Sequence, residues 1–137
     1  NIHRGKGVAR RMIQEFRALA ERKGLDGVIA PVRPSEKHRH PFIPMEDYMT
    51  WTDDNGRLFD PWLRSHSAAG GKLIKPAARS MVVEEPVAFW EMWTGRPFEE
   101  TGEYALQGAL APVAMDLESD VGRYVEPNVW FAYRAAA

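Results

Sequence analysis

The sequence contains no cysteine among its 137 residues. Disulfides, thiolate catalysis and zinc sites with cysteine ligands are therefore excluded, and the absence agrees with a reducing, cytoplasmic location. No apolar run approaches the roughly 20 residues that cross a bilayer, and no signal peptide opens the chain, so we expect no membrane partner. The first residue is Asn1 rather than methionine, from which we expect that an upstream segment is missing.

The sequence also lacks an excess of either charge. The formal net charge is −1, which provides no basic field for a polyanion, so we expect no nucleic-acid partner. Hydrophobic residues make up 45% and charged residues 27% of the chain, as in an ordinary soluble globular protein. The length and composition predict one compact domain over residues 1–137.

An amphipathic helix is predicted from Gly7 to Lys23, ended by Gly24. Its apolar residues recur at spacings of three and four. They are Val8, Met12, Ile13, Phe16, Leu19 and Ala20. The wholly apolar stretch from Gly27 to Val32 is typical of a short buried strand. A helix followed by such a strand is half of a βαβ unit, which favours an α/β fold.

Short helices, turns and strands are predicted for the rest of the chain. Helices are expected over 44–51, 61–69 and 86–93, strands over 72–83, 108–115 and 128–133, and turns at 53–56 and 118–126. Asp60 and Pro61 suit the N-cap and first position of the second of these helices. Pro76 predicts a bend or an exposed edge in the strand that contains it.

A basic, glycine-rich segment precedes and opens the first helix. Its residues are Arg4, Gly5, Lys6, Gly7, Val8, Ala9 and Arg10. Glycines let the backbone approach a ligand closely, and the free N–H groups and dipole of a helix N-terminus attract anions. Basic side chains stand where acidic ones are usual, which favours an anion-binding loop. The alternative is a glycine-rich turn whose charges are merely solvated.

This segment resembles the acyl-CoA-binding motif of the GNAT superfamily of N-acetyltransferases, Arg/Gln-x-x-Gly-x-Gly/Ala, which Arg4, Gly7 and Ala9 fill. The resemblance implies that backbone N–H groups of the loop hold the pyrophosphate of acetyl-CoA, and that no metal is needed. It also implies an α/β GNAT-like fold with a mixed, twisted sheet and one face covered by the first helix. Only the C-terminal part of that fold is covered, so its N-terminal strands are expected to be missing.

A second resemblance lies in the helix that begins at Asp60. GNAT enzymes usually carry a helix that starts with Asn near the CoA arm and ends in Tyr-x-x-x-Gly. Here Asp60 stands near the asparagine position and His66 takes the tyrosine position, four residues before Gly70. The resemblance implies that His66 protonates the departing CoA thiolate and that Arg64 reaches a CoA phosphate. The alternatives are a structural histidine and a surface arginine.

The resemblance implies direct transfer of an acyl group, most often acetyl, from CoA to an amine of a small molecule or peptide. It allows a homodimer, and the general base is expected in the missing N-terminal part. The stretches 59–83 and 124–130 further resemble a bacterial GNAT subgroup, some of whose members are fused to a nitrilase-like domain. The alternative function is a catalytically inactive CoA-binding or scaffolding module.

Two other groups of residues offer weaker signals for a site. His38 and His40 flank an arginine in a polar loop, and two histidines without cysteine are a weak metal signal, so a solvated loop is favoured. The five tryptophans are expected in the core or lining an acceptor pocket. Phe89 and Trp93 share a helical face and are expected to pack inward.

Overall fold

The computed structural model describes residues 7–135, which form four α-helices, a short 3₁₀ helix at Lys37–Arg39 and five β-strands. The helices are α1 (Val8–Arg22), α2 (Met45–Tyr48), α3 (Pro61–Ala68) and α4 (Val87–Thr94). The strands are β1 (Gly27–Val32), β2 (Lys72–Glu85), β3 (Gly102–Tyr104), β4 (Val113–Asp116) and β5 (Val121–Arg134). The expected α/β class is confirmed.

Strand β5 is the centre of the sheet, because it pairs with three other strands. Strand β2 lies along one side of it, from Lys72 opposite Ala132 to Glu85 opposite Gly122. On the other side, β1 pairs with the second half of β5 and β4 with its start, while β3 pairs with the far edge of β4. These pairs are antiparallel, so β1 and β2 run in the same direction on either side of β5.

The first helix and strand lie where the sequence predicts them. Lys23 is the C-cap of α1, and Gly24 follows in the left-handed conformation with φ 71°. The N–H groups of Gly24 and Leu25 donate to the carbonyls of Glu21 and Ala20. This pair of bonds is a Schellman motif, which satisfies carbonyls that the helix end leaves free. The chain therefore reverses sharply between α1 and β1.

Helix α1 buries less of its apolar stripe than the sequence predicts. Ala20 is buried and Ile13 packs against the core. The other four apolar residues of the stripe, Val8, Met12, Phe16 and Leu19, are each 41–51% exposed. In the part of the chain that the structure describes, one apolar strip of this helix thus stays open to solvent.

Two hydrophobic clusters pack on β5, one on each half of the strand. The first joins α2, α3 and β1 to the second half of β5, with Tyr48, Leu63 and Phe131 at its centre. The second cluster joins α4, β4 and the loop around Phe98 to the first half of β5, and Trp90 of α4 is one of its buried residues. The buried positions of β5 change phase after Glu126, so its two halves serve different clusters.

The C-terminal third departs from the predicted elements. Residues 118–126 were expected to form a turn, but β5 already begins at Val121 and the turn is confined to 117–120. The prediction was wrong for residues 121–126, which include Gly122. A Cβ at Gly122 would lie 2.4 Å from the Trp90 ring, so this glycine makes room for the indole. The strand predicted over 108–115 is also shorter, since β4 begins at Val113.

Candidate functional site

The N-terminus of α1 has the backbone geometry of an anion site. Gly7 is its N-cap and adopts φ 69°, in the left-handed region that glycine enters without strain. No acidic side chain lies in the first turn, and no side chain among residues 7–135 caps its N–H groups. Val8, Ala9 and Arg10 follow Gly7 in this turn, whereas Arg4, Gly5 and Lys6 lie outside the described residues. The free N–H groups favour a negatively charged ligand.

Gly7 lies at the same end of the sheet as the last residue of β1. Helix α1 has 15 residues and β1 has six, so both elements are about 20 Å long. The Arg17 Nε donates to the carbonyl of Arg134 at 2.8 Å, and Arg134 pairs with Gly27 at the start of β1. The C-terminal half of α1 therefore lies beside the start of β1, and its N-terminus points towards Val32.

The N-terminus of α3 lies at that end too, held there by Asp60. One Asp60 oxygen accepts from the backbone of Trp62, Leu63 and Ser35 at 3.0–3.1 Å. The other accepts from the Glu36 N–H at 2.9 Å and the Tyr48 hydroxyl at 2.5 Å. Asp60 is 1% exposed. Both carboxylate oxygens of Asp60 thus accept hydrogen bonds from within the protein. The expected contact of Asp60 with CoA stays a prediction.

Arg64 lies on α3 and is tied to a neighbouring turn. Its Nη1 donates to Asp53 Oδ2 at 2.9 Å and to the Leu58 carbonyl at 3.3 Å. The side chain is 29% exposed. The ion pair between Arg64 and Asp53 holds the turn at 53–56 against α3. The contact of Arg64 with a CoA phosphate stays a prediction.

His66 is buried between α3 and β5. Its Nδ1 lies 2.5 Å from the Tyr133 hydroxyl, and its ring packs edge-on against Trp62 and beside Phe131. Burial lowers the pKa of His66 and raises the pKa of Tyr133 to about 12. The lowered pKa keeps His66 mainly neutral near neutral pH, and its role as an acid stays a prediction.

A cavity of about 600 Å³ opens beyond the end of β1. That volume is within the range of small-molecule pockets, roughly 300–1,000 Å³. Its walls come from α4, the loop 105–109 and the first half of β5. Arg33, the first residue after β1, lies on its wall two positions before Ser35, so the cavity is at the same end as the N-termini of α1 and α3.

An ion pair between a half-exposed arginine and a buried glutamate forms part of the cavity wall. Arg33 Nε donates to Glu126 Oε1 at 3.1 Å, and the Tyr124 hydroxyl donates to the same oxygen at 2.9 Å. Glu126 is 7% exposed. Burial is the main cause that raises the pKa of Tyr124 to about 12, so its hydroxyl stays protonated and keeps donating. Sequence reasoning missed Arg33, Tyr124 and Glu126, because only folding brings them together.

Two tryptophans of α4 line this cavity in different ways. Trp90 is 8% exposed and its Nε1 donates to the Gly122 carbonyl at 3.0 Å. Trp93 is 77% exposed and lies at the rim beside Phe89. The prediction that Trp93 packs inward was therefore wrong, whereas the prediction that tryptophans line a pocket agrees with the cavity.

Neither a metal cluster nor a membrane helix is present in the part of the chain that the structure describes. No group of three or more His, Asp or Glu side chains within residues 7–135 could hold a metal ion. His40 packs its ring against Trp51 and Tyr48 instead. None of the described helices is long and apolar enough to cross a bilayer.

The chain is similar in sequence to the arginine N-acetyltransferase avaD of Aspergillus versicolor. The two are 37% identical over 151 residues, which cover 97% of this chain and 52% of the relative. In structure the chain is similar to the loading GNATL domain of CurA from Lyngbya majuscula, with a TM-score of 0.51, 18% identity, and coverage of 97% of this chain and 49% of that one. No protein-family model matches the chain.

The resemblance to the GNAT superfamily is confirmed. The GNAT-like fold agrees with a helix that opens at a glycine-rich loop and is followed by an apolar strand. The chain spans about half the length of both proteins. The sequence relative is fungal, so the bacterial subgroup and its nitrilase fusion stay predictions.

Proposed function

We propose that this chain is the CoA-binding portion of an acetyl-CoA-dependent N-acetyltransferase, which transfers the acetyl group directly to an amine of a small molecule or peptide. The observation that carries this proposal is the N-terminus of α1, where no side chain of the described residues caps the first-turn N–H groups and the first turn contains no acidic residue. The similarity to an arginine N-acetyltransferase supports the reaction class.

The chain's own residues would bind the cosubstrate at the α1 N-terminus. The backbone from Gly7 to Arg10, with Arg4, Gly5 and Lys6 before it, would hold the CoA diphosphate. A base removes a proton from the acceptor amine, its nitrogen attacks the thioester carbonyl and forms the amide bond, the C–S bond breaks, and the thiolate takes up a proton. His66 is the proposed proton donor, although its lowered pKa leaves only a small protonated fraction near neutral pH.

The competing candidate is a CoA-binding module without turnover. The observation in its favour is the burial of His66 against Tyr133, since a proton donor must reach the departing sulfur. His66→Gln distinguishes the two roles once turnover is measured. Lost turnover with unchanged acetyl-CoA affinity supports an acid, and unchanged turnover makes His66 structural.

The proposal is tested by calorimetric titration of the full chain with acetyl-CoA, comparing Gly7→Glu with Gly24→Glu. Both glycines lie in the left-handed region, at φ 69° and 71°, and a Cβ at either position would have nothing within 4 Å. The two variants therefore add the same strain and the same charge at opposite ends of one helix. Only the variant at position 7 places the carboxylate beside the proposed diphosphate.

We expect the unaltered protein to bind acetyl-CoA in the micromolar range and Gly7→Glu to bind it at least about tenfold more weakly. The glutamate carboxylate would repel the diphosphate that the helix N-terminus attracts. Gly24→Glu should bind like the unaltered protein. Equal affinities of all three proteins, or no binding by the folded unaltered protein, would remove the proposal.

A further inference from the structure

The Arg33–Glu126 pair retains one unused acceptor and one unused donor. Arg33 uses Nε for Glu126 Oε1 and Nη2 for the Gly108 carbonyl at 3.0 Å. Within residues 7–135, nothing donates to Glu126 Oε2 and Arg33 Nη1 donates to nothing. Glu126 Oε2 is not one of the fully buried, unpartnered oxygens of residues 7–135, so it is open to the solvent of the cavity and a ligand can donate to it.

The two atoms belong to residues that line one cavity and differ in exposure. Glu126 is 7% exposed, whereas the Arg33 side chain is 49% exposed. Glu126 is the only carboxylate among the described residues that line the cavity, so the cavity has a single negative point at which a cation can bind. The guanidinium beside it provides a planar donor for a carboxylate.

We propose that this cavity binds the head group of a free α-amino acid, with its ammonium on Glu126 Oε2 and its carboxylate on Arg33 Nη1. An α-amino acid carries both charges on one carbon, so a single head group can engage both side chains of the cavity wall at once. A simple amine would use only Glu126, and a simple acid would use only the arginines of the cavity, Arg33 and Arg96. The neighbouring Trp93 face, 77% exposed, is available to the amino acid's side chain.

This inference rests on the proposed function, because the bound ammonium, once it has lost a proton to a base, would be the amine that is acetylated. The cavity lies at the end of the sheet where the N-termini of α1 and α3 also lie. An amine bound on Glu126 would therefore be on the same side of the molecule as the proposed diphosphate site.

The test uses three probes that differ by one charged group. L-Arginine carries both charges of the head group, agmatine lacks the carboxylate, and 5-guanidinopentanoate lacks the α-amine. Each is titrated calorimetrically into the full chain without CoA, so the measurement concerns the cavity and not turnover. The variants are Glu126→Gln and, as the matched control, Glu84→Gln. Glu84 also pairs with an arginine, Arg123, but its side chain is 56% exposed.

Glu126→Gln keeps the side-chain volume, and its amide oxygen can still accept from Arg33 and Tyr124. It places an NH₂ group where the ammonium should donate. We expect L-arginine to bind roughly tenfold to a hundredfold more tightly than either truncated probe, the range for one charged hydrogen bond. Glu126→Gln should weaken the binding of L-arginine by that same factor and hardly change the affinity for 5-guanidinopentanoate. Glu84→Gln should bind all three probes like the unaltered protein.

Equal affinities for the three probes, or equal L-arginine affinities of the Glu126→Gln and Glu84→Gln variants, would overturn the inference. If L-arginine does not bind, the twenty common amino acids are titrated in the same way, and no binding by any of them also overturns it. Failure of the proposed function is separate, since it appears as lost acetyl-CoA binding in the Gly7 and Gly24 titrations.

Discussion

The carboxylate of Asp60 ties three segments of the chain together. It caps α3 through Trp62 and Leu63, holds Ser35 and Glu36 after β1, and accepts the Tyr48 hydroxyl of α2. Burial alone would raise the pKa of Asp60, but these hydrogen bonds outweigh it and hold the pKa below its usual value. The ionised form is therefore the one that the folded state stabilises.

Replacing Asp60 by alanine should lower the free energy of unfolding by about 3 kcal/mol or more, because it removes a helix cap and leaves several buried donors unpaired. Urea unfolding of the full chain measures the loss. Asp116→Ala is the control, since Asp116 also accepts from two backbone N–H groups but on an exposed turn. Comparable losses in both variants would show that burial of the Asp60 network adds nothing.

The free energy of unfolding, measured as the pH is lowered, provides a second test of Asp60. A carboxyl whose pKa is lower in the folded state stabilises the fold above the unfolded pKa of about 4, and that stability is lost as the pH falls through the folded pKa. The unaltered protein should therefore lose stability below about pH 4 more steeply than Asp60→Ala. Parallel acid limbs would contradict the lowered pKa.

At the scale of elements, the sequence predicts well where short-range signals agree. Helix α3 has Asp60 and Pro61 at its start and Gly70 after its end, and it lies within one residue of the predicted bounds. Helix α4 ends at Gly95, also as predicted. Pro76 correctly indicates an irregular edge strand, since the register of β2 against β5 shifts after Ala77. These features depend only on neighbours along the chain.

Features that depend on distant residues were missed. The role of Gly122 depends on Trp90, 32 positions earlier, and the partial exposure of α1 depends on what covers its apolar stripe. The candidate site divides in the same way. Its glycine loop is a local pattern, whereas the Arg33–Glu126 pair joins residues 93 positions apart, and no local signal marks either residue.

The packing of α4 on β5 depends on the missing side chain at Gly122. Gly122→Ala would place a Cβ 2.4 Å from Trp90 and 2.7 Å from Met115 Sδ, so the helix must shift or the indole must turn. We expect the free energy of unfolding to fall by about 2–3 kcal/mol. Urea unfolding followed by tryptophan fluorescence measures this change.

Gly56→Ala is the control for that substitution. Gly56 has φ 76° and open space around it, so alanine there costs only backbone strain of about 1 kcal/mol. A smaller loss at Gly122 than at Gly56 would contradict close packing of Trp90 on the strand.

For the whole molecule, the open strip on α1 predicts self-association of residues 1–137 when they are produced alone. Val8, Met12, Phe16 and Leu19 are 41–51% exposed on one helix, and contiguous apolar surfaces of this kind favour association. Sedimentation velocity should show dimers or larger species at micromolar concentration. The double substitution Met12→Glu and Phe16→Glu should return the chain to a monomer.

Met92→Glu is the matched control, because Met92 is 82% exposed but lies on α4. If Met92→Glu disperses the assemblies as well as the double substitution does, the association is non-specific and the α1 strip is not its cause. A chain that is already monomeric would contradict the prediction itself, together with the homodimer that the sequence allowed.

The position of β5 at the end of the described chain determines when the sheet can form during synthesis. Gly27 of β1 pairs with Arg134, which is translated about a hundred residues later, or about 5–20 s at usual elongation rates. Until then β1, β2 and β4 have no common partner, and neither hydrophobic cluster can close. The segment from β1 onward must therefore be kept from aggregating until β5 has been made, and a premature stop within β5 leaves the other described strands without their central partner.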